Sequence, residues 1–210
     1  MNAFDLGRQV EQRGLDALEN YLTQASFRGR FVLTHKGPLS RMLQETIGDI
    51  VLNHHRTQEM FSVELKCEES ERYGNFFLET WSNRNYDPRR VGWIFTILAD
   101  FIWYYFIDSD RLYVIDNRKL FTWAHELPSK VIEGGSGRMY DFPERTQGKY
   151  NQMNKTCGRC VPISTIGDEV GWTLYSPRAL GLEVVDRMPK PEAAMRLTGS
   201  TAAQRGLFTT

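Results

Sequence analysis

The sequence predicts a mixed α/β domain built around a small central sheet. Three observations lead there: an amphipathic run over residues 4–22, three strand-like runs at 47–53, 60–67 and 75–81, and an apolar stripe over 94–105 followed by a strand pattern at 111–116. In the first run Leu15, Leu18 and Leu22 recur at helical spacing, with Arg8, Arg13 and Asp16 elsewhere around the wheel. Glu11 falls on the same stripe, where an acid is unusual; the simplest reading puts it at the stripe's edge, reaching solvent. Residues 31–34 read as a short strand ended by Gly37-Pro38, and 39–46 as a brief helix or turn. The polar segment 54–59 joins the runs at 47–53 and 60–67 as a hairpin connection. Residues 82–92 form a polar loop carrying Arg84, Arg89 and Arg90. Ile94, Ile97, Leu98, Phe101 and Tyr105 share one stripe, so a helix is expected there, with Asp100 off the stripe beside Thr96 and Tyr104. Residues 108–110 are a turn, and 117–132 return to helix until Gly134-Gly135-Ser136-Gly137 breaks it. A final strand is expected at 161–166, and beyond Pro189 a weakly ordered tail. The expected organisation is one domain over residues 1–188, with a core at about 4–125 and additions over 126–188, and a tail at 189–210.

Lys plus Arg total 26 and Asp plus Glu total 26, a formal net charge of +0, so no global basic excess points to nucleic acid. Hydrophobic residues at 41% supply a sizeable core and exclude disorder as the dominant state. No apolar run approaches the roughly 18 residues of a membrane span, so no membrane partner is expected. The Met-Asn-Ala-Phe-Asp start has no basic region leading into an apolar one, so no secretory signal is expected. Three cysteines, Cys67, Cys157 and Cys160, fit a reducing, cytoplasmic compartment. The balanced total conceals local asymmetry. Residues 27–41 hold Arg28, Arg30, Lys36 and Arg41 with no acid, and 138–160 hold five Lys or Arg against two acids. These segments and 84–90 read either as phosphate-gripping surface or as ordinary solvated surface.

Side chains alternate along a strand, so Glu64 and Lys66 share one face while Val63, Leu65 and Cys67 take the other. A hairpin centred between Arg56 and Thr57 sets Asp49 directly opposite Glu64 on that face. Two carboxylates so placed repel unless a cation lies between them, and oxygen donors suit Mg²⁺. Such a cation polarises a phosphodiester and lowers the pKa of a bound water, while Lys66 orients that water or stabilises charge on the phosphate. The competing reading of Glu-x-Lys is a solvated ion pair on a strand face.

Gly48-Asp49-Ile50-Val51, followed fifteen residues after Asp49 by Glu64-Leu65-Lys66, resembles the PD-(D/E)XK nuclease superfamily, which includes restriction endonucleases and resolvases. The later run Gly92-Trp93-Ile94-Phe95-Thr96, then Ala99-Asp100 and Tyr104, resembles a Gly-x-x-x-Thr-x-x-Ala-Asp-x-x-x-Tyr pattern of phage and bacterial members. The resemblance covers about residues 4–125 and implies a restriction endonuclease-like core, a small mixed sheet flanked by helices. It makes Asp49 and Glu64 the metal ligands, Lys66 the catalytic lysine, and Glu11 the acid that the family often adds from the first helix. Glu79 is a weaker candidate that an Arg could pair, and Asp100 and Thr96 brace the site or cap the sheet. The residue before Asp49 is Gly48 where the family name has Pro, a common variation.

The implied activity is a Mg²⁺-dependent endodeoxyribonuclease, Mn²⁺ substituting, of a phage-infected or bacterial cytoplasm. DNA is the partner, with Arg28, Arg30, Lys36, Arg84, Arg89, Arg90 and Lys149 as candidate phosphate contacts, and a homodimer is an arrangement found among resembling nucleases. The alternative is a catalytically inactive nucleic-acid- or protein-binding module of the same fold. Cys157-x-x-Cys160 invites a zinc reading, but no second Cys or His pair follows, and Val161-Pro162 favours a strand there. Trp81, Trp93, Trp103 and Trp123 read as core.

Overall fold

Among the described residues seven strands form a mixed sheet, with a long helix, α1 (Ala3–Leu22), laid across one face. The computed structural model describes residues 3–23, 29–33, 47–54, 58–85, 90–125, 137–146 and 155–189. In chain order follow β1 (Gly29–Leu33), β2 (Ile50–His54), β3 (Met60–Glu68), β4 (Asn75–Asn83), β5 (Arg90–Val91), the short α2 (Trp93–Thr96), β6 (Phe101–Phe106), β7 (Arg111–Asp116) and α3 (Asn117–Ala124). A 3₁₀ turn (Arg138–Asp141), β8 (Glu144–Thr146), β9 (Cys157–Pro162), α4 (Ile163–Glu169), β10 (Trp172–Ser176), α5 (Pro177–Leu180) and β11 (Gly181–Met188) complete the described chain. The expected turn at 39–46, the helical continuation over 126–132, the Gly134-Gly135-Ser136 break and the tail beyond Pro189 lie outside the described residues.

The large sheet runs β1-β2-β3-β6-β7-β10-β11, antiparallel at every pair except β3–β6, which is parallel. A second, antiparallel sheet runs β5-β4-β9-β8. The architecture is therefore mixed α/β, but its central sheet is larger than expected, and the strand run at 75–81 founds the second sheet instead of joining the first. A parallel neighbour requires a long crossover, and here the crossover from β3 to β6 carries β4, β5 and α2.

Two cores lie on the two faces of the large sheet. On one, Leu15, Leu18, Tyr21 and Leu22 of α1 pack on Ile50, Leu52, Val63, Leu65, Phe101, Trp103 and Tyr105. On the other, Ile102, Tyr104, Phe106 and Tyr113 meet Phe76 and Leu78 of β4, Val161 of β9, Leu120 of α3 and Ile166 of α4. Phe76 centres this second core, with ring centroids 4.8 Å from Tyr104 and 5.3 Å from Tyr113. At Gly14 α1 touches β3 so closely that a Cβ would lie 2.1 Å from Cys67 Sγ.

The helix expected over 94–105 is not formed. α2 ends at Thr96, Leu98 is 77% exposed, and 101–106 is a strand buried along its whole length. The reason is burial on both faces: Phe101, Trp103 and Tyr105 fill one core and Ile102, Tyr104 and Phe106 the other. A strand of that kind is apolar at every position, and any such run contains a helical stripe by default. The strand expected at 161–166 also shifts: β9 ends at Pro162, and Ile163, Ile166 and Gly167 form the buried side of α4. No helix among the described residues is long and apolar enough to cross a membrane.

Candidate active site

The hairpin of β2 and β3 adopts the register expected from sequence: Ile50 pairs with Val63, Val51 with Ser62, Leu52 with Phe61 and Asn53 with Met60. Asp49 lies one residue before the start of β2, beside the end of this pairing. Gly48 makes the approach, at φ 113° with its missing Cβ 2.7 Å from the Val63 carbonyl oxygen. Proline, locked near φ −65°, cannot adopt this backbone, so Gly48 here is a geometric requirement and not an interchangeable variant. Asp49 then donates its backbone N–H to Val63 O at 2.8 Å, and its Oδ2 accepts from the Leu65 N–H at 2.8 Å. The side chain thus carries the ladder one rung past the end of β2, and Asp49 is buried at 5% exposure.

Glu64 and Lys66 point away from α1, and Lys66 Nζ donates to Glu64 Oε1 at 2.6 Å. Their side chains are only 16% and 24% exposed. Burial raises the Glu64 carboxyl above its ordinary range; the Lys66 ammonium pulls it down, and Asp49 pushes it up again. Burial also works against the Lys66 charge, yet Glu64, Asp49 and Glu11 together hold the ammonium's pKa above its usual value. The ammonium lies 5.6 Å from the centroid of the Trp93 ring, a cation–π distance. Trp93 is delivered by Gly92, whose N–H donates to Thr80 O at 2.8 Å and whose Cβ would overlap the Glu79 carbonyl.

Glu64 and Lys66 are therefore in contact, and the charge of Asp49 reaches both. Glu11 is exposed on α1, in the stripe whose Leu15 and Leu18 pack on the sheet, and its negative charge acts on Lys66 and Cys67. The Cys67 thiol faces α1, as alternation requires, and burial pushes its pKa up. Glu79 takes a hydrogen bond from Ser82 Oγ at 2.7 Å, where an arginine partner was the expectation. Asp100 sits in the loop before β6, not on a helix, and clips β6 to β3: its carboxylate accepts from the Ser62 N–H at 2.7 Å and Oγ at 2.9 Å. Thr96 closes α2 and is exposed.

Of the candidate phosphate contacts, Arg84 is ion-paired across the second sheet with Glu144, and Arg90 is exposed on β5. Arg28, Lys36, Arg89, Lys149 and the side chain of Arg30 lie outside the described residues. Cys157 and Cys160 are both on β9. Three residues apart on a strand they point to opposite faces about 10 Å apart, which rules out a shared zinc for the pair.

Sequence reasoning missed three neighbours of the site. Glu68 continues the row of Glu64 and Lys66 along β3, and the period of two from Glu64 was its signal. Tyr104, paired with Lys66 across the parallel β3–β6 ladder, donates to Glu68 and accepts from the Phe77 N–H at 3.0 Å. Trp93 was assigned to core alone. Burial raises the Glu68 carboxyl against the Tyr104 hydrogen bond, and burial beside Glu68 raises Tyr104 well above its usual value.

As a metal site the donor set is two carboxylates. Among the described residues no group of three or more His, Cys, Asp and Glu side chains gathers to hold an ion. Two hard carboxylates are what Mg²⁺ takes, keeping several waters besides, so Asp49 and Glu64 fit it. Comparison with protein-family models, curated proteins and solved structures returns no match.

Proposed function

We propose that the protein is a Mg²⁺-dependent endodeoxyribonuclease of the PD-(D/E)XK kind, hydrolysing DNA phosphodiester bonds. One observation carries the reading: Lys66 Nζ lies 2.6 Å from Glu64 in a largely buried row on β3, with the buried Asp49 carboxylate close enough for its charge to act on both. A mixed sheet with α1 on one face and a parallel pair at its centre is compatible with the restriction endonuclease-like core the motifs imply. Asp49 and Glu64 would hold the Mg²⁺ or Mn²⁺, which when bound polarises the phosphodiester and makes water a better nucleophile. Lys66, kept protonated by its carboxylate neighbours, stabilises the negative charge gathering on the phosphate oxygens. Glu64 anchors that ammonium, and Asp49 is fixed by the Leu65 N–H.

The reading is tested by incubating purified protein and Mg²⁺ with plasmid and branched DNA. Nicking or cutting is expected, and Lys66→Ala and Glu64→Ala abolish it while circular dichroism shows them folded. Cleavage retained in both variants overturns the assignment. A second reading, an inactive binding module of the same fold, is favoured by one feature: Lys66 and Glu64 already satisfy each other, and Asp49 serves a backbone N–H. It requires DNA or protein binding indifferent to Mg²⁺ and to Lys66→Ala.

A further inference from the structure

Lys66 has a glutamate on each side of it in its own row, Glu64 two residues before and Glu68 two residues after. Each lies about 7 Å away along the strand, within reach of a lysine's four-carbon stem. Proximity alone leaves the ammonium a choice between two carboxylates of the same kind. The structure resolves that choice in favour of Glu64: the ion pair is Lys66 Nζ to Glu64 Oε1 at 2.6 Å, while Glu68 is held by the Tyr104 hydroxyl. Tyr104 is 2% exposed and fixed from its other side by the Phe77 N–H of β4 at 3.0 Å, so its hydroxyl has a single orientation: it accepts from Phe77 and donates to Glu68.

We propose that Tyr104 is a positioning residue for Lys66. By occupying Glu68 it removes the competing anion and leaves the ammonium to Glu64, beside Asp49 and against the Trp93 ring. This deepens the nuclease reading and rests on it for its catalytic meaning, but the placement of Lys66 is measurable without catalysis.

The experiment compares wild type, Tyr104→Phe, Glu68→Gln and the double variant in protein labelled with ¹³C-lysine. The Lys66 ε-methylene signal is assigned by its loss in Lys66→Arg. In Tyr104→Phe the signal moves, because Glu68 is released to draw the ammonium; in Glu68→Gln it stays; in the double variant it returns. Cleavage with Mg²⁺ falls about tenfold to a hundredfold in Tyr104→Phe, the scale of a small misplacement at a reacting centre, and recovers in the double variant. A packing role gives a different pattern, since Tyr104→Phe strips the Phe77 N–H of its acceptor and Glu68→Gln does not give it back. An unmoved Lys66 signal in Tyr104→Phe, or a double variant as displaced as the single, overturns the proposal. If wild type cleaves no DNA, the nuclease reading fails while the spectra still decide the positioning of Lys66.

Discussion

Asp110 and Glu64 are carboxylates of similar side-chain exposure, 12% and 16%, with opposite fates. Asp110 sits in the turn between β6 and β7 at φ 53° and gathers donors from across the fold. It accepts from Tyr105 at 2.8 Å, from Ser176 Oγ at 2.6 Å, from the backbone N–H groups of Arg178 and Ala179 at 3.0 and 3.1 Å, and from Arg178 Nε at 3.2 Å. Burial pushes its pKa up, but the hydrogen bonds outweigh burial and carry it below the ordinary value. Glu64 has one strong partner, Lys66, and an acid, Asp49, on its other side, so burial wins and its pKa rises. Similar side-chain exposure therefore ends in a structural clasp where donors surround the charge, and in a raised carboxyl where deeper burial and a neighbouring acid meet a single donor.

The comparison is broken most forcefully at the clasp. Asp110→Asn keeps the shape and tolerates the positive φ but removes the charge and turns an amide N–H toward donors. Denaturant unfolding should show a loss of about 3–5 kcal/mol, the scale for breaking a buried charged network; a loss near zero would show the donors are satisfied without it.

His125 sharpens the comparison from the side of the unsolvated group. It is 4% exposed, its ring lies 4.4 Å from Phe95 and 5.0 Å from Phe121, and Nε2 finds no hydrogen-bond partner among the described residues. Burial lowers its pKa from 6.5 to about 4. Above pH 6.5 both states are neutral there and nothing changes. Below it the unfolded chain binds the proton first, so stability falls by about 3 kcal/mol on going to pH 4. Thermal unfolding against pH should show that slope, and His125→Phe should flatten it; an identical slope in the variant assigns the loss elsewhere.

The smallest effect is expected at the site. Glu64→Gln combined with Lys66→Met removes the ion pair as a unit, and stability should stay within about 1 kcal/mol of wild type or rise, because desolvating the pair offsets its attraction. A loss as large as that of Asp110→Asn would make the Glu64–Lys66 pair a clasp as well.

Much of this was legible locally. α1, β3 and β7 follow from their sequence patterns, and the register of Ile50–Asn53 against Met60–Val63 followed from the centre of one hairpin. Asp110 was legible only as a turn, because the residues that make it a clasp, Ser176 and Arg178, lie 66 and 68 positions away. Tyr104 looked helical because its strand is buried on both faces, and that misreading hid its parallel pairing with Lys66. The failures share one physical origin: partners that long connections bring together leave no periodic trace in the local sequence.

That crossover also orders events in time. The β2–β3 hairpin is a local contact of the kind that forms in about 1–10 μs, whereas Val63 and Phe101, 38 positions apart in sequence, meet only after a long loop has closed. On a ribosome Asp49, Glu64 and Lys66 are also synthesised before Trp93 and Tyr104. The hairpin can thus form before Lys66 has the Trp93 ring near it or Glu68 has the Tyr104 hydroxyl, so the surroundings of Lys66 are completed only when the long crossover closes.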